Sequence, residues 1–152
     1  MQSTFVASLT FVSFIAPVAL GAALSRGRDK FLLQRFSMLA FFIAVVGVVY
    51  AIYSHSLSLF LAFNVMAGVA DGAAFTVSMA GIVEGTSLQE RAGVLSLIYV
   101  VAYGGAALPN LLVSRIAQYF SLLELTAGYA VFTGVMFILM LLTAKRSYYY
   151  EA

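Results

Sequence analysis

The 152 residues are 63% hydrophobic and only 9% charged, and they carry a net charge of +2. An ordinary soluble domain has roughly 25% charged residues, so a water-facing surface is excluded here, and with it a soluble basic face for nucleic acid. The lack of cysteine excludes disulfides and thiolate metal sites. Most side chains must therefore contact lipid, where only helices and closed barrels satisfy the backbone. Because the apolar runs are long and continuous, the sequence predicts an all-α integral membrane protein with the lipid bilayer as its partner.

Five apolar segments follow one another along the chain, separated by short polar breaks. They cover about residues 4–24, 33–53, 57–83, 94–117 and 123–144. Each reaches the roughly 20 residues that a helix needs to cross about 30 Å of hydrocarbon. No linker is long enough to divide the chain, so we expect a single transmembrane domain over residues 1–152 with five transmembrane helices.

The lysines and arginines lie almost entirely on one side of these segments. Only Arg115 lies toward the other side. Because cytoplasmic loops carry the excess of Lys and Arg, the N-terminus is predicted to lie outside and the C-terminus in the cytoplasm, in the cell membrane (inner or plasma membrane). The cytoplasmic basic residues are Arg26, Arg28, Lys30, Arg35, Arg91, Lys145 and Arg146.

The third segment carries polar and small residues on one helical face. These are Asn64, Gly68, Asp71, Phe75 and Ser78. A charged carboxylate at the centre of a membrane helix raises the free energy of insertion by about 2.5–3.5 kcal/mol, so Asp71 is a candidate for a functional or structural role. It is either a proton carrier or a contact for a cationic substrate, or else a structural carboxyl bonded to a neighbouring helix. Gly68 and Gly72 have the spacing of a close helix crossing, which also arises easily by chance in a Gly-rich segment.

The fourth segment carries a second polar face. It contains Ser96, Tyr99, Tyr103, Ala107, Asn110 and Ser114. Because polar groups avoid lipid, both faces should point into the bundle or a watery cavity, whereas the apolar second and fifth segments should be peripheral. The candidates for a substrate path or proton coupling are Asn64, Asp71, Tyr99, Tyr103 and Asn110. The alternative for the amides and tyrosines is interhelical hydrogen bonding.

Catalytic motifs are absent from the sequence. It has no HExxH and no phosphate-binding Gly-rich loop, and its one histidine, His55, has no acidic or histidine neighbour in sequence. We therefore expect no enzymatic activity, no metal and no cofactor.

Three stretches, taken in order, resemble the major facilitator superfamily of secondary transporters. Residues 21–30 are similar to the family's cytoplasmic loop motif: Gly21, Arg26 and the basic cluster match, Ser25 replaces the motif's Asp, and the second glycine is displaced to Gly27. Residues 84–93 resemble the acidic-basic loop that precedes the family's eleventh helix. Residues 103–109 resemble the Gly/Pro-rich segment of that helix.

The resemblance implies that the five spans correspond to helices eight to twelve, as part of the C-terminal six-helix bundle without its N-terminal partner half. Such transporters move a small organic solute by rocking two halves about a midplane site, and proton-coupled export is one version of this. The loop motif and a cytoplasmic charge lock would comprise Gly21, Arg26, Arg28, Lys30, Glu84, Glu90 and Arg91. The alternative for these charges is exposed pairs worth about 0–1 kcal/mol.

A second interpretation stays open at this point. The chain could be a small five-span membrane protein with a structural or assembly role, oligomerising through its polar faces. A truncated gene, a fragment and one half of a split transporter are all compatible with the first interpretation, under which we expect no transport by this chain alone.

Overall fold

The computed structural model describes residues 2–84 and 86–143, which form five α-helices joined by short turns. The helices are α1 (Gln2–Leu24), α2 (Lys30–Tyr53), α3 (Leu57–Glu84), α4 (Arg91–Ile116) and α5 (Leu122–Thr143). Each begins and ends within three residues of its predicted segment, and the described residues contain no strand. The fold is therefore all-helical, as predicted. Ala144, Lys145 and Arg146, which belong to the predicted last span and tail, lie outside the described residues.

Local hydrogen bonds set the helix boundaries. The Asp29 side chain caps α2 by accepting from the backbone N–H of Leu32 at 2.9 Å. At the other end of α2, His55 has a positive φ of 51°, its N–H donates to the Ile52 carbonyl, and the Ser56 N–H donates to the Ala51 carbonyl. These two bonds form a Schellman motif, which ends a helix with one left-handed residue. The single histidine thus serves a tight turn into α3.

Helices α1 and α3 run parallel and touch through glycines. A Cβ added at Gly68 would overlap the Phe14 carbonyl, and one added at Gly72 would overlap the Val18 carbonyl. On α1, Gly21 lies equally close to the backbone of α3. Close backbone approach through small residues is the usual way for membrane helices to pack. The crossing predicted from the spacing of Gly68 and Gly72 is therefore confirmed.

Helix α2 packs between α3 and α5. Gly47 of α2 receives the Phe63 ring of α3, so a Cβ at this position would overlap that ring. On its other side, the Phe42 ring of α2 stacks on the Phe137 ring of α5 with 6.3 Å between ring centroids. The prediction that α2 is peripheral fits one face of the helix, where large apolar side chains such as Phe36 and Ile43 are exposed. On its other sides, small residues at three buried positions admit α3 and α5. Those positions are Ala44, Gly47 and Ala51.

Four helices are long and apolar enough to cross a membrane: α1 from Thr4, α2, α3 and α5. The described apolar stretch of α4, Arg91–Gly105, is shorter. As a whole α4 has 26 residues, and its main neighbour in the described chain is α3, which it touches only slightly. The structure therefore consists of a packed row in the order α1, α3, α2, α5, with α4 standing largely apart.

Candidate functional site

Asp71 lies in the middle of α3, half-buried between the helices that flank it. Within the described part of the chain its carboxyl makes no hydrogen bond and no ion pair. Tyr129 of α5 interacts electrostatically with the carboxyl. An acid at this depth without a fixed partner can take up a proton or meet a cation, whereas a structural carboxyl would be held by hydrogen bonds.

Sequence reasoning missed Tyr129. It lies between Thr126 and Thr133 at intervals of three and four, so these residues share one face of α5. Thr133 is buried and its hydroxyl donates to the Ala130 carbonyl. This weak polar face was the feature of the sequence that could have identified Tyr129. It indicates that α5 does not face lipid on all sides.

Asn64 is held by α1. Its side-chain amide nitrogen donates two hydrogen bonds to α1, one to the Thr10 carbonyl and one to the Ser13 hydroxyl oxygen, both at 2.7 Å. This is the interhelical hydrogen bonding that was the alternative to a substrate contact. Asn64 therefore joins α1 to α3 one turn before Gly68 and two turns before Gly72, and in this structure its donors are already in use.

Ser78 makes the corresponding connection to α2. Its single hydroxyl hydrogen is within reach of two acceptors, the side-chain oxygen of Gln34 at 3.0 Å and the Ala74 carbonyl of its own helix at 2.8 Å. The polar face of α3 thus divides: Asn64 binds α1, Ser78 binds α2, and Asp71 lies between them without a bond to either.

The two tyrosines of α4 are stacked on one another and exposed. Tyr99 and Tyr103 have ring centroids 6.1 Å apart, and their exposed fractions are 51% and 73%. Ser96 and Ser114 on the same helix are exposed too, and each hydroxyl bonds only to its own helix. Of the two predicted surroundings for this polar face, the bundle and a watery cavity, the described residues do not supply the first, because α4 has too little contact with its neighbours to bury a face; the second stays a prediction. The side chain of Asn110 lies outside the described residues.

Lys30 and Glu84 form an ion pair between the start of α2 and the end of α3. Both residues were assigned to the cytoplasmic charge lock; the structure pairs them, and their role as a lock stays a prediction. Their side chains are 32% and 51% exposed, so solvent screens the pair, as it does most surface salt bridges.

The other predicted members of the charge lock are not joined across the loops. Glu90 accepts hydrogen bonds from the hydroxyl and the backbone N–H of Ser87, so it stabilises its own turn. Arg26, Arg28 and Arg91 are exposed, and none forms an ion pair with a described acidic residue. Gly21 contacts α3 rather than a charge. Of the proposed lock, the structure contains one pair.

No metal centre or cofactor site is visible in the part of the chain that the structure describes. Groups of three His, Asp or Glu side chains close enough to hold a metal ion do not occur there. The polar chemistry of these helices is that of carboxyl, phenol, amide and hydroxyl groups, which bind solutes and protons by hydrogen bonds.

Comparison with known proteins identifies no relative. No family model, no curated protein and no solved structure matches this chain.

Proposed function

We propose that this chain is a membrane-embedded part of a secondary transporter of the major facilitator type, with its five helices corresponding to helices eight to twelve. It would take part in moving a small organic solute across the cell membrane and would have no enzymatic activity. Its N-terminus would lie outside and its C-terminus in the cytoplasm, and a further transporter half would be its partner. The observation that supports the proposal is α4, a helix with an aromatic and polar face that, like its apolar sides, the described chain leaves uncovered.

The uncovered face argues for a missing partner or a watery cavity. Tyr103 is 73% exposed and lies one turn from Tyr99 on a helix with polar groups at the same face. In lipid, an exposed hydroxyl or amide loses its hydrogen bonds to water, so such a face is normally turned toward protein or water. A second transporter half would supply both, since substrate sites of these transporters lie between the two halves.

Asp71 is the candidate for proton exchange or cation binding in the proposed transporter. Asn64 and Ser78, its neighbours on the same face of α3, are bonded to α1 and α2, which leaves the carboxyl as the polar group of that face without a fixed partner among the described residues. Such a group can exchange a proton or bind a cationic solute as access alternates. Proton coupling and cation binding are therefore the two roles open to Asp71 within the proposed function.

The test is transport with and without the region encoded upstream of Met1. We expect no solute transport by the purified chain in liposomes, and pH-dependent transport by the polypeptide or complex that includes the upstream spans. In that complete protein, Asp71→Asn should remove the pH dependence, because an amide cannot carry the proton. The matched control is Glu124→Gln, which changes an exposed acid at the start of α5 and should leave the pH profile in place.

Two results would contradict the proposal. Solute transport by the chain alone would show that no partner half is needed. A gene with its own promoter and no upstream spans, together with a stable oligomer of this chain, would favour the small structural membrane protein, whose contacts would then cover the face of α4.

A further inference from the structure

A groove of about 440 Å³ is lined by residues of α1, α2 and α3, and Asp71 is not among them. Its walls are almost entirely apolar, and Leu33, Phe36 and Ala40 follow one another along α2. From Leu33 to Ala40 the helix rises about 10 Å, so the groove runs from the helix ends into the membrane for about two turns. Val69 and Ala73 of α3 form its floor.

A positive charge stands at the mouth of the groove. Arg28 is among the lining residues, and it is exposed and in no ion pair with a described acid. Arg26 lies beside it in the same turn, whereas Lys30 is engaged by Glu84. The groove therefore combines an apolar channel with a free guanidinium at its end, on the side where the positive-inside rule places the cytoplasm.

We propose that this groove binds one anionic phospholipid of the cytoplasmic leaflet, with an acyl chain along Phe36 and Ala40 and the phosphate at Arg28. Basic pockets between membrane helices on the cytoplasmic side suit acidic head groups, and arginine matches phosphate with two parallel hydrogen bonds. The charge of the groove complements a lipid phosphate, and its apolar walls complement a lipid tail. The inference is independent of the transporter proposal, since it requires only that the chain lie in a bilayer with the turn between α1 and α2 on the cytoplasmic side.

Tryptophan fluorescence gives a site-specific test, because the chain contains no tryptophan. In the variant Phe36→Trp, the single indole reports on the groove, and in the variant Phe132→Trp it reports on an exposed position of α5. Each variant of the full chain is reconstituted in vesicles that mix phosphatidylglycerol and phosphatidylcholine, with one or the other lipid brominated to quench nearby indoles. The ratio of the two quenching curves gives the relative affinity for the anionic lipid.

We expect the Phe36→Trp variant to prefer phosphatidylglycerol on the order of fivefold, the contribution of about one basic residue near an anionic lipid, and the Phe132→Trp variant to show a ratio close to one. Adding Arg28→Gln should bring the first ratio down to the second, while Arg26→Gln should keep most of the preference. Adding Arg28→Lys should retain a reduced preference, because the charge stays and the paired hydrogen bonds are lost.

Each of three outcomes would overturn the proposal. A ratio near one for Phe36→Trp would mean that ordinary boundary lipid fills the groove. Equal losses with Arg26→Gln and Arg28→Gln would mean that diffuse surface charge attracts the lipid. Protection of the indole from both brominated lipids would mean that a protein segment or a second copy of the chain covers the groove. Circular dichroism of every variant shows whether the helices remain.

Discussion

At the scale of single residues, glycine decides where α1 and α3 meet. At Gly68 and Gly72 the backbone of α1 occupies the space that a side chain would need. Asn64 then adds hydrogen bonds to the same crossing. Small residues allow the two backbones to approach closely, and this approach brings acceptors of α1 within hydrogen-bond distance of the Asn64 side-chain amide.

The first prediction concerns Gly68. Gly68→Ala should destabilise the protein by about 1–3 kcal/mol, the usual cost of overpacking a closely packed site, because the new Cβ overlaps the backbone of α1 rather than a mobile side chain. The measurement is thermal or denaturant unfolding in detergent or bicelles. The control is Gly128→Ala on α5, where nothing lies within 4 Å of the added Cβ. A helix gains roughly 1 kcal/mol from Ala over Gly, so this variant should be neutral or stabilised. Equal losses in both variants would contradict the close crossing.

A second prediction at this scale concerns the turn at His55. His55→Gly should stabilise the protein by up to about 1 kcal/mol, because the left-handed backbone costs a side-chain-bearing residue energy that glycine does not lose. His55→Val should be destabilised, since β-branched residues are poorest in this region. The control is Ser54→Gly one residue earlier, where φ is −81° and no strain can be relieved. Unfolding midpoints of the three variants check the order, and a stabilised Ser54→Gly variant would contradict it.

At the scale of elements, the continuous apolar runs predicted where helices begin and end but not how the helices associate. The runs around α1, α2, α3 and α5 were unambiguous because lipid demands continuous hydrophobicity. The position of α2 between α3 and α5 depends on small residues such as Gly47 that receive an aromatic ring, and a sequence does not state which ring enters which gap. For the same reason the spacing of Gly68 and Gly72 indicated a crossing without naming α1 as its partner.

The candidate site could be predicted only in part, for a related reason. Asp71 was evident because an acid in an apolar run is costly wherever it lies. Asn64 and the tyrosines of α4 share a face pattern in sequence, yet Asn64 is bonded to α1 and the tyrosines are exposed. A polar stripe shows that a helix needs a polar neighbour, and it does not distinguish a helix of the same chain from a partner protein or a solute.

The ion pair between Lys30 and Glu84 is a contact between elements, since it joins the start of α2 to the end of α3. A double-mutant cycle with Lys30→Ala and Glu84→Ala should give a coupling of about 0.2–1 kcal/mol, as expected for an exposed pair. The coupling should fall as the salt concentration rises, because the Debye length shortens from about 10 Å at 0.1 M to about 3 Å at 1 M, so that ions screen even an exposed pair in direct contact. Unfolding measured at two salt concentrations checks this.

The control cycle pairs Lys30→Ala with Glu90→Ala, since Glu90 bonds to Ser87 in its own turn. This cycle should show no coupling. A coupling of several kcal/mol for Lys30 and Glu84 would instead indicate a strong lock that holds one conformation of the helices.

At the scale of the whole molecule, α4 decides the topology. Four helices are apolar enough to span a membrane, and α4 lies beside them with an exposed polar face. If α4 crosses, the turns at its two ends lie on opposite sides of the membrane and the chain has five spans. If it does not cross, both turns lie on the same side and α5 reverses its direction. The position of α4 thus determines whether the arrangement corresponds to five helices of a transporter half.

Single cysteines test this crossing directly, because the chain contains none of its own. Leu88→Cys and Tyr119→Cys place thiols at highly exposed positions on either side of α4, with exposed fractions of 80% and 77%. Ser54→Cys, in the turn between α2 and α3, reports the side on which α3 begins. Intact cells treated with a membrane-impermeant maleimide should label the variants Ser54→Cys and Tyr119→Cys, while Leu88→Cys should react only after the membrane is permeabilised. This pattern follows from five spans with the N-terminus outside. Labelling of Ser54→Cys alone would mean that α4 does not cross, and labelling of Leu88→Cys alone would mean that the orientation is reversed.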